Sequence, residues 1–207
     1  DYTFHCVLSG MGSEGATTEQ GVSVPFSIVN QIEEVVRGGF TSVKVWITNT
    51  TPTRPKQKTD FGQVWAIMEQ LVPAGGVLAV HAEDDDIVMH MYRKLHEEGR
   101  VGTEFMHEAH NNLSEDISFR RIIRLAEWTG AAVYIMHVSA QEGVQAIKEG
   151  RGRGQPIYGE TLHHYATFNS ERYKEDEGPL YHTYPGLKYQ KDADALWMGV
   201  VDGTLST

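Results

Sequence analysis

The sequence predicts an α/β fold in which a parallel sheet forms part of a (β/α)8 barrel. Short apolar segments rich in β-branched residues alternate along the chain with longer segments of helical periodicity, and this alternation predicts parallel strands. The apolar segments are continuous, as expected where helices cover both faces of a sheet. Polar side chains follow several of these segments, and barrel enzymes carry their chemistry at the ends of several strands. An open doubly wound sheet is the competing architecture.

Five segments have the length and composition of buried strands. They are Thr3–Leu8, Ser42–Thr48, Val77–Ala82, Ala131–Val138 and Pro156–Glu160. The sequence SGMGSEG after the first segment lacks the spacing of a dinucleotide-binding loop, which favours the barrel over the open sheet. Because five strands do not close an eight-stranded barrel, we expect an incomplete barrel whose remaining strands lie outside these 207 residues.

Helices are predicted between the strands, where apolar residues recur at intervals of three and four. The helical segments are Phe26–Val36, Phe61–Leu71, Ser114–Gly130 with Ser114 as its expected N-terminal cap, Val144–Ile147 and, near the end, Asp192–Val201. The region Thr161–Gln190 is rich in histidine, tyrosine and proline and is predicted to be a long functional loop. No linker, repeat or low-complexity tract divides the chain, so we assign residues 1–207 to a single domain, a fragment of a catalytic barrel.

The composition argues against several classes of function. A net charge of −10 disfavours a nucleic-acid groove, because phosphate binding needs a basic surface. No apolar run approaches the roughly 18 to 20 residues that cross a bilayer, so no membrane partner is expected. The single cysteine, Cys6, cannot form an intrachain disulfide, which fits a reducing compartment. We therefore expect a cytoplasmic protein whose partner is a small molecule.

Three predicted strands carry side chains that can ligate a metal ion. Lys44 lies within the apolar strand SVKVW, and His81 and His137 end the segments VLAVH and YIMH. A lone histidine at a strand end is more often a hydrogen-bonded structural group. Two such histidines on different strands support a metal site more strongly than one does, because the strand ends of a barrel converge on one site. The alternatives for Lys44 are a side chain that reaches the barrel rim or one that pairs with a carboxylate such as Glu83.

Lys44 also has a specific chemical possibility. A buried ammonium group without a partner tends to lose its proton. The neutral amine can then react with carbon dioxide to give a carbamate, an anion with two oxygens. Those oxygens could bridge two divalent cations in a site that activates water.

Four motifs, in this order, resemble the dihydropyrimidinase, hydantoinase and allantoinase branch of the amidohydrolase superfamily. They are GFTSVKVWIT, VLAVHAE, EWTGAAVYIMHVS and GETLHHY, and DYTFHCVL resembles the third strand of that family. The resemblance runs through nearly the whole chain. It implies a (β/α)8 TIM barrel of which this chain covers about strands 3 to 7, and it implies hydrolysis of the C–N bonds of cyclic amides or imides through a metal-bridging hydroxide.

The resemblance also implies the composition of the active site. Lys44 would be the carboxylated lysine that bridges two divalent metal ions, and His81 and His137 would ligate the second ion. Histidine and carboxylate ligands suit zinc best, and manganese or nickel stay open by ligand type. A His-x-His pair for the other ion and a catalytic aspartate are expected outside this chain. VVDGTLST resembles the segment that leads into the strand carrying that aspartate. A homotetramer or homodimer is expected for the full-length protein.

Two positions depart from the family pattern and are the catalytic candidates. Asn49 stands where typical hydantoinases have a tyrosine that stabilises the oxyanion, and an amide N–H could still donate there. Tyr184 stands where the family often has a serine that meets the imide of the ring, and it could take over the oxyanion role. Histidines are also present in the motif His107–His110, but their spacing is wrong for a helical zinc site, so a loop or helix start is expected there.

Two other functions stay open at this stage. Some relatives of the family keep the barrel without its metal site and act as assembly or signalling proteins. A hydrolase of acyclic amides on the same scaffold is the second alternative, because Asn49 and Tyr184 both change the substrate pocket.

Overall fold

Five parallel strands form one sheet in the order in which they occur along the chain. A computed structural model describes residues 4–8, 29–54 and 58–207 of the protein. The strands are β1 (Cys6–Val7), β2 (Ser42–Trp46), β3 (Val77–His81), β4 (Ala132–Ile135) and β5 (Ile157–Gly159). All five predicted strands are confirmed, although each is shorter than predicted. Thr3 and the sequence SGMGSEG lie outside the described residues.

Eight α-helices lie between or after these strands within the described ranges. They are α1 (Ile32–Arg37), α2 (Phe61–Ala74), α3 (Asp85–Glu97), α4 (Met106–Ala109), α5 (Asn112–Thr129), α6 (Gln141–Gly152), α7 (His163–Thr167) and α8 (Gln190–Val201). Short 3-10 turns occur at Val29–Gln31, Thr103–Phe105, Ser170–Lys174 and Gly178–Tyr181. The start of the first predicted helix, residues 26–28, lies outside the described residues.

Three details of the predicted helices are wrong. Helix α3 was not predicted, although Val88, Met91 and Leu95 recur at intervals of three and four, and Val88 and Leu95 are its buried side chains. Helix α5 is capped by Asn111, whose side chain accepts from the Ser114 backbone at 3.0 Å, so Ser114 lies inside the helix. The region Thr161–Gln190 contains α7 and two 3-10 turns and is not an unstructured loop.

The hydrophobic core lies between the sheet and the helices that cover one of its faces. Alternate residues of a strand point to opposite faces, so Val43 and Val45 face the helices while Lys44 faces the other way. The buried helical side chains that meet the sheet come mainly from α2 and α5. They include Val64, Ile67, Met68, Leu71, Phe119, Ile122, Ile123 and Ala126.

The register of the strands brings the chemically active side chains to the opposite face. Lys44 is level with Ala79, which is level with Tyr134, and Trp46 is level with His81. Because all the strands run parallel, their carboxyl ends meet at one edge of the sheet. The fold is therefore an incomplete (β/α) barrel with polar side chains at its carboxyl edge, as predicted. Within the described residues, no helix has the length and apolar character to cross a membrane.

Candidate active site

The two strand-end histidines meet at the carboxyl edge of the sheet. His81 is the last residue of β3, and His137 follows the end of β4 by two residues. The His81 Nδ1 and His137 Nε2 atoms are 2.9 Å apart, and the ring centroids are separated by 4.6 Å. Although these residues are distant in sequence, the structure brings them together, as the convergence of barrel strands predicts.

Both imidazoles are held in the neutral form. Burial lowers the pKa of His81, although Glu83 partly opposes the change. Burial also moves the pKa of His137 well below its usual range, and the neighbouring His81 and Lys44 add to this effect. A neutral imidazole has the lone pair that a metal ligand needs.

The backbone at His137 is strained. Its φ is 43°, in the left-handed region that non-glycine residues rarely adopt. Such a conformation costs on the order of 1–3 kcal/mol and persists only where the surrounding structure enforces it. Backbone hydrogen bonds hold both sides of the residue, from Met136 N to Val80 O at 3.1 Å and from Val138 N to Glu160 O at 2.7 Å. Strain of this kind is typical of a functional site.

Lys44 is buried on the inner face of β2, with 5% of its surface exposed. Desolvation lowers the pKa of its amine to about 7, against the opposing charge of Glu160. The Nζ atom lies 4.8 Å from the centroid of the Trp46 ring. The alternative pairing of Lys44 with Glu83 is not what the structure has, because that carboxylate binds two histidines.

Glu83 and His110 complete a buried cluster that the sequence analysis did not assign to the site. Glu83 Oε2 lies 3.1 Å from His81 Nε2, and both carboxylate oxygens lie 2.9 Å from His110 Nδ1. His110 Nε2 in turn lies 2.8 Å from the Tyr92 hydroxyl. His110 directly follows the end of α4, not a helix start, and it is fully buried. The glutamate two residues after His81 was the only sequence signal for this cluster.

Asn49 is engaged in holding the loop after β2. Its backbone N–H donates to Asp85 Oδ1 at 2.9 Å, and its side-chain amide donates to the same carboxylate at 3.1 Å. Its side-chain oxygen accepts from the Lys58 backbone at 3.2 Å. These contacts tie the β2 loop to the first turn of α3. The predicted oxyanion contact of Asn49 stays a prediction.

Tyr184 lies against the buried cluster. Its ring centroid is 5.1 Å from that of His110 and 4.8 Å from that of His182, and a cis peptide bond joins it to Pro185. Burial raises the pKa of Tyr92, and the neighbouring Tyr184 raises it further. The structure therefore brings Tyr184 close to the cluster that contains His81. Its predicted role as an oxyanion donor is not tested by this geometry.

The donors at the carboxyl edge fit part of a metal site. In the described part of the chain, no group of three or more His, Cys, Asp or Glu side chains is arranged to hold a metal ion. The predicted metal ligands are two histidines and one lysine, so they do not form such a group. Two nitrogens bound to one tetrahedral zinc ion lie about 3.3 Å apart, given bonds of about 2.0–2.1 Å. The observed 2.9 Å between His81 Nδ1 and His137 Nε2 is close to that separation.

Comparison with known proteins places this geometry in context. No family model matches the chain. A D-hydantoinase of Streptomyces coelicolor is 27% identical over 202 residues, covering 97% of this chain and 40% of that protein. An allantoinase of Bacillus licheniformis is 25% identical over 189 residues, covering 90% of this chain and 41% of that protein. The chain thus spans about two fifths of the length of the relatives it matches.

Solved structures are similar over the whole chain. The dihydropyrimidinase from Brevibacillus agri superposes with a TM-score of 0.85 at 25% identity, covering 100% of this chain and 42% of that structure. The D-hydantoinase from Bacillus sp. AR9 gives the same TM-score and identity over the same coverage. The fold is that of the TIM barrel in these structures, of which this chain spans an incomplete part. The resemblance to the hydantoinase family of the amidohydrolases is confirmed along nearly the whole chain.

Proposed function

We propose that this chain contributes to a metal-dependent hydrolase that opens cyclic amides or imides at a hydantoin-like or dihydropyrimidine-like C–N bond. The observation that carries the proposal is the facing pair His81 Nδ1 and His137 Nε2, 2.9 Å apart at the carboxyl ends of adjacent barrel strands. Relatives named D-hydantoinase and allantoinase support the same chemistry. Barrel enzymes build their active sites at this edge.

The residues that would hold the metal are Lys44, His81 and His137. When bound, two divalent ions such as zinc would lower the pKa of a water molecule towards about 7 and polarise the carbonyl of the ring. Zinc suits imidazole and carboxylate-like ligands. The remaining ligands, a His-x-His pair and an aspartate, would come from outside this chain.

The chain itself prepares Lys44 for its role. A pKa of about 7 leaves a substantial fraction of the amine neutral at neutral pH. The nitrogen lone pair attacks the carbon of carbon dioxide, and the nitrogen then releases a proton to water. The product is a carbamate anion with two oxygens. Burial of Lys44 keeps bulk water away from this group.

Tyr184 is the proposed donor to the substrate oxyanion. It is half-buried, and its ring lies beside those of His110 and His182, next to the strand-end cluster. A preorganised donor stabilises the charge that develops on the carbonyl oxygen during hydrolysis. Asn49 is the weaker candidate, because its side-chain amide already binds Asp85.

The buried Lys44 and the neutral histidines favour the hydrolase over a non-catalytic assembly protein of the same fold. The cyclic substrates named in the relatives favour a ring over an acyclic amide. We further propose a cytoplasmic homo-oligomer, a tetramer or dimer. A reducing compartment suits the single Cys6, and the exposed Trp65 and Trp128 on α2 and α5 suit an interface.

The test is the metal content of the purified protein, measured by elemental mass spectrometry after growth with zinc and bicarbonate. We expect bound zinc that is lost in Lys44→Ala and retained in Lys148→Ala, an exposed lysine that pairs with Asp202. With isotopically labelled bicarbonate, carbon NMR should detect a carbamate that is absent in Lys44→Ala. Unchanged zinc in Lys44→Ala would contradict the proposed site.

The substrate class is tested with a panel of rings and open amides. Hydantoin, dihydrouracil and allantoin should be opened, and an N-acyl amino acid should not. If the protein hydrolysed only the open amide, the proposed substrate class would be acyclic amides and not cyclic ones.

A further inference from the structure

A continuous hydrogen-bonded chain leads away from the predicted metal ligands into the protein. It begins at His137 Nε2, passes through both nitrogens of His81 and the carboxylate of Glu83, and reaches His110 Nδ1. From His110 Nε2 it continues to the Tyr92 hydroxyl at 2.8 Å. His81, Glu83 and His110 are all buried, with 2%, 0% and 0% of their surfaces exposed.

The donors and acceptors in this chain can be assigned. An ionised carboxylate only accepts hydrogen bonds, so each histidine nitrogen that faces Glu83 carries a proton. His81 is then protonated on Nε2, and His110 on Nδ1. A neutral imidazole has one donor and one acceptor. The second nitrogen of His81, Nδ1, presents a lone pair towards His137.

We propose that Glu83 and His110 are positioning residues that hold His81 in the tautomer with its lone pair on Nδ1, ready for a metal ion. The inference rests on the proposed function and adds to it the part of the chain that orients one ligand. Metal-bound histidines are commonly oriented in this way by a carboxylate on the other ring nitrogen, and loss of that partner weakens metal binding about 10–100-fold.

His110 has a distinct part in this arrangement. Glu83 could rotate if it bound only His81, but His110 Nδ1 lies 2.9 Å from both of its oxygens. His110 therefore fixes the carboxylate from the opposite side. His110 is itself fixed by Tyr92, and its ring centroid lies 5.1 Å from that of Tyr184. The positioning chain thus extends from the predicted metal ligands to the predicted substrate-binding tyrosine.

The first measurement needs no substitution and no metal. Nitrogen NMR of isotopically labelled histidine in the metal-free protein distinguishes the protonated from the unprotonated ring nitrogen. We expect His81 to carry its proton on Nε2 and His110 on Nδ1. A proton on His81 Nδ1 would overturn the proposal whatever the behaviour of any variant.

The second measurement is zinc affinity, by competition with a chromophoric chelator. Glu83→Gln places an amide N–H₂ where one oxygen stood, so we expect a mixed His81 tautomer and zinc binding weaker by about 10–100-fold. Glu108→Gln, at a glutamate that pairs with Arg100 near the surface, is the matched control and should bind zinc as the wild type does. His110→Ala should weaken binding, and His110→Asn, which keeps a donor near the Nδ1 position, should restore most of it.

The outcomes separate this proposal from the proposed function. Zinc binding in the wild type that is equally tight in Glu83→Gln would overturn the positioning role and leave the metal site intact. Failure of His110→Asn to improve on His110→Ala would overturn the role of His110. A wild-type protein that binds no zinc would overturn both proposals together.

Discussion

Glu83 and Glu115 are both fully buried, yet the pKa values of their carboxyl groups move in opposite directions. Burial alone would raise the pKa of Glu83, but His110 and His81 outweigh it and hold the pKa well below the usual range. Burial raises the pKa of Glu115 to about 7, and Lys188 and the hydrogen bonds around it oppose this only in part. The two sites therefore differ in their partners and not in their burial.

The partners explain the difference. Glu83 binds two imidazoles, whereas Glu115 accepts from the Ser139 hydroxyl at 2.5 Å and from the backbone N–H of Ser139 and Ala140 at 3.1 and 2.9 Å. Groups that can carry charge favour an ionised carboxylate more strongly than neutral donors do. Glu83 is thus a permanent acceptor beside the predicted metal ligands, and Glu115 fixes the loop that follows His137.

The largest expected effect comes from removing the carboxylate of Glu83. In Glu83→Ala, His81 and His110 lose their shared acceptor inside the protein, and each buried donor left unsatisfied costs about 1–3 kcal/mol of unfolding free energy. Urea denaturation followed by circular dichroism measures the loss. A decrease below about 1 kcal/mol would mean that the cluster behaves like a surface ion pair.

A smaller effect, which depends on pH, is expected at Glu115. Its pKa is about 7 in the folded protein against an ordinary value of 4.5, so the folded state binds the proton more tightly. This contribution to stability is fully present below about pH 4.5 and is lost as the pH rises towards 7, by about 3 kcal/mol in total. Glu115→Gln removes the titrating group, so its unfolding free energy should depend less on pH across this interval.

Denaturation curves of the wild type and Glu115→Gln at several pH values between 4.5 and 7 provide the check. The glutamine keeps an oxygen for the backbone donors and an N–H₂ that can donate to the Ser139 hydroxyl. Parallel pH profiles for the two proteins would show that folding does not raise the pKa of Glu115.

The smallest effect is expected at Asp116, the next residue along the same helix. Its carboxylate binds Arg120 at 2.7 Å on the surface, where the side chains are 45% and 23% exposed for Arg120 and Asp116. Exposed pairs of this kind contribute less than about 1 kcal/mol and are screened by salt. Asp116→Ala should therefore lower the unfolding free energy by less than about 1 kcal/mol. A loss as large as that of Glu83→Ala would remove the contrast between buried and exposed carboxylates.

The convergence of His81 and His137 could be predicted because each lies at a strand end, and parallel strands end at one edge. Helix α3 was missed, although its ends carry readable signals. Asp84 caps it, Asp85 and Asp86 occupy the first turn, and Lys94 lies in the last turn. These charges complement the helix dipole. The apolar residues Val88, Met91 and Leu95 also recur at helical intervals, so both signals mark this helix.

The cluster of Glu83, His110 and Tyr92 could not be predicted from the sequence. Glu83 and His110 are 27 residues apart, and the motif around His110 matches no helical zinc site. The position of Asn49 in the sequence likewise does not show whether its side-chain amide contacts a substrate or binds Asp85. Only the packing of α3 and α4 against the strand ends selects these partners.

The order of strands and helices and the position of Lys44 within an apolar strand were determined by the sequence alone, because apolar periodicity depends on near neighbours along the chain. The tertiary structure decided which nitrogen of His81 faces His137 and why Glu83 is ionised while Glu115 holds its proton to about pH 7. Desolvation and hydrogen bonding depend on side chains brought together from distant segments, and those partners exist only in the folded protein.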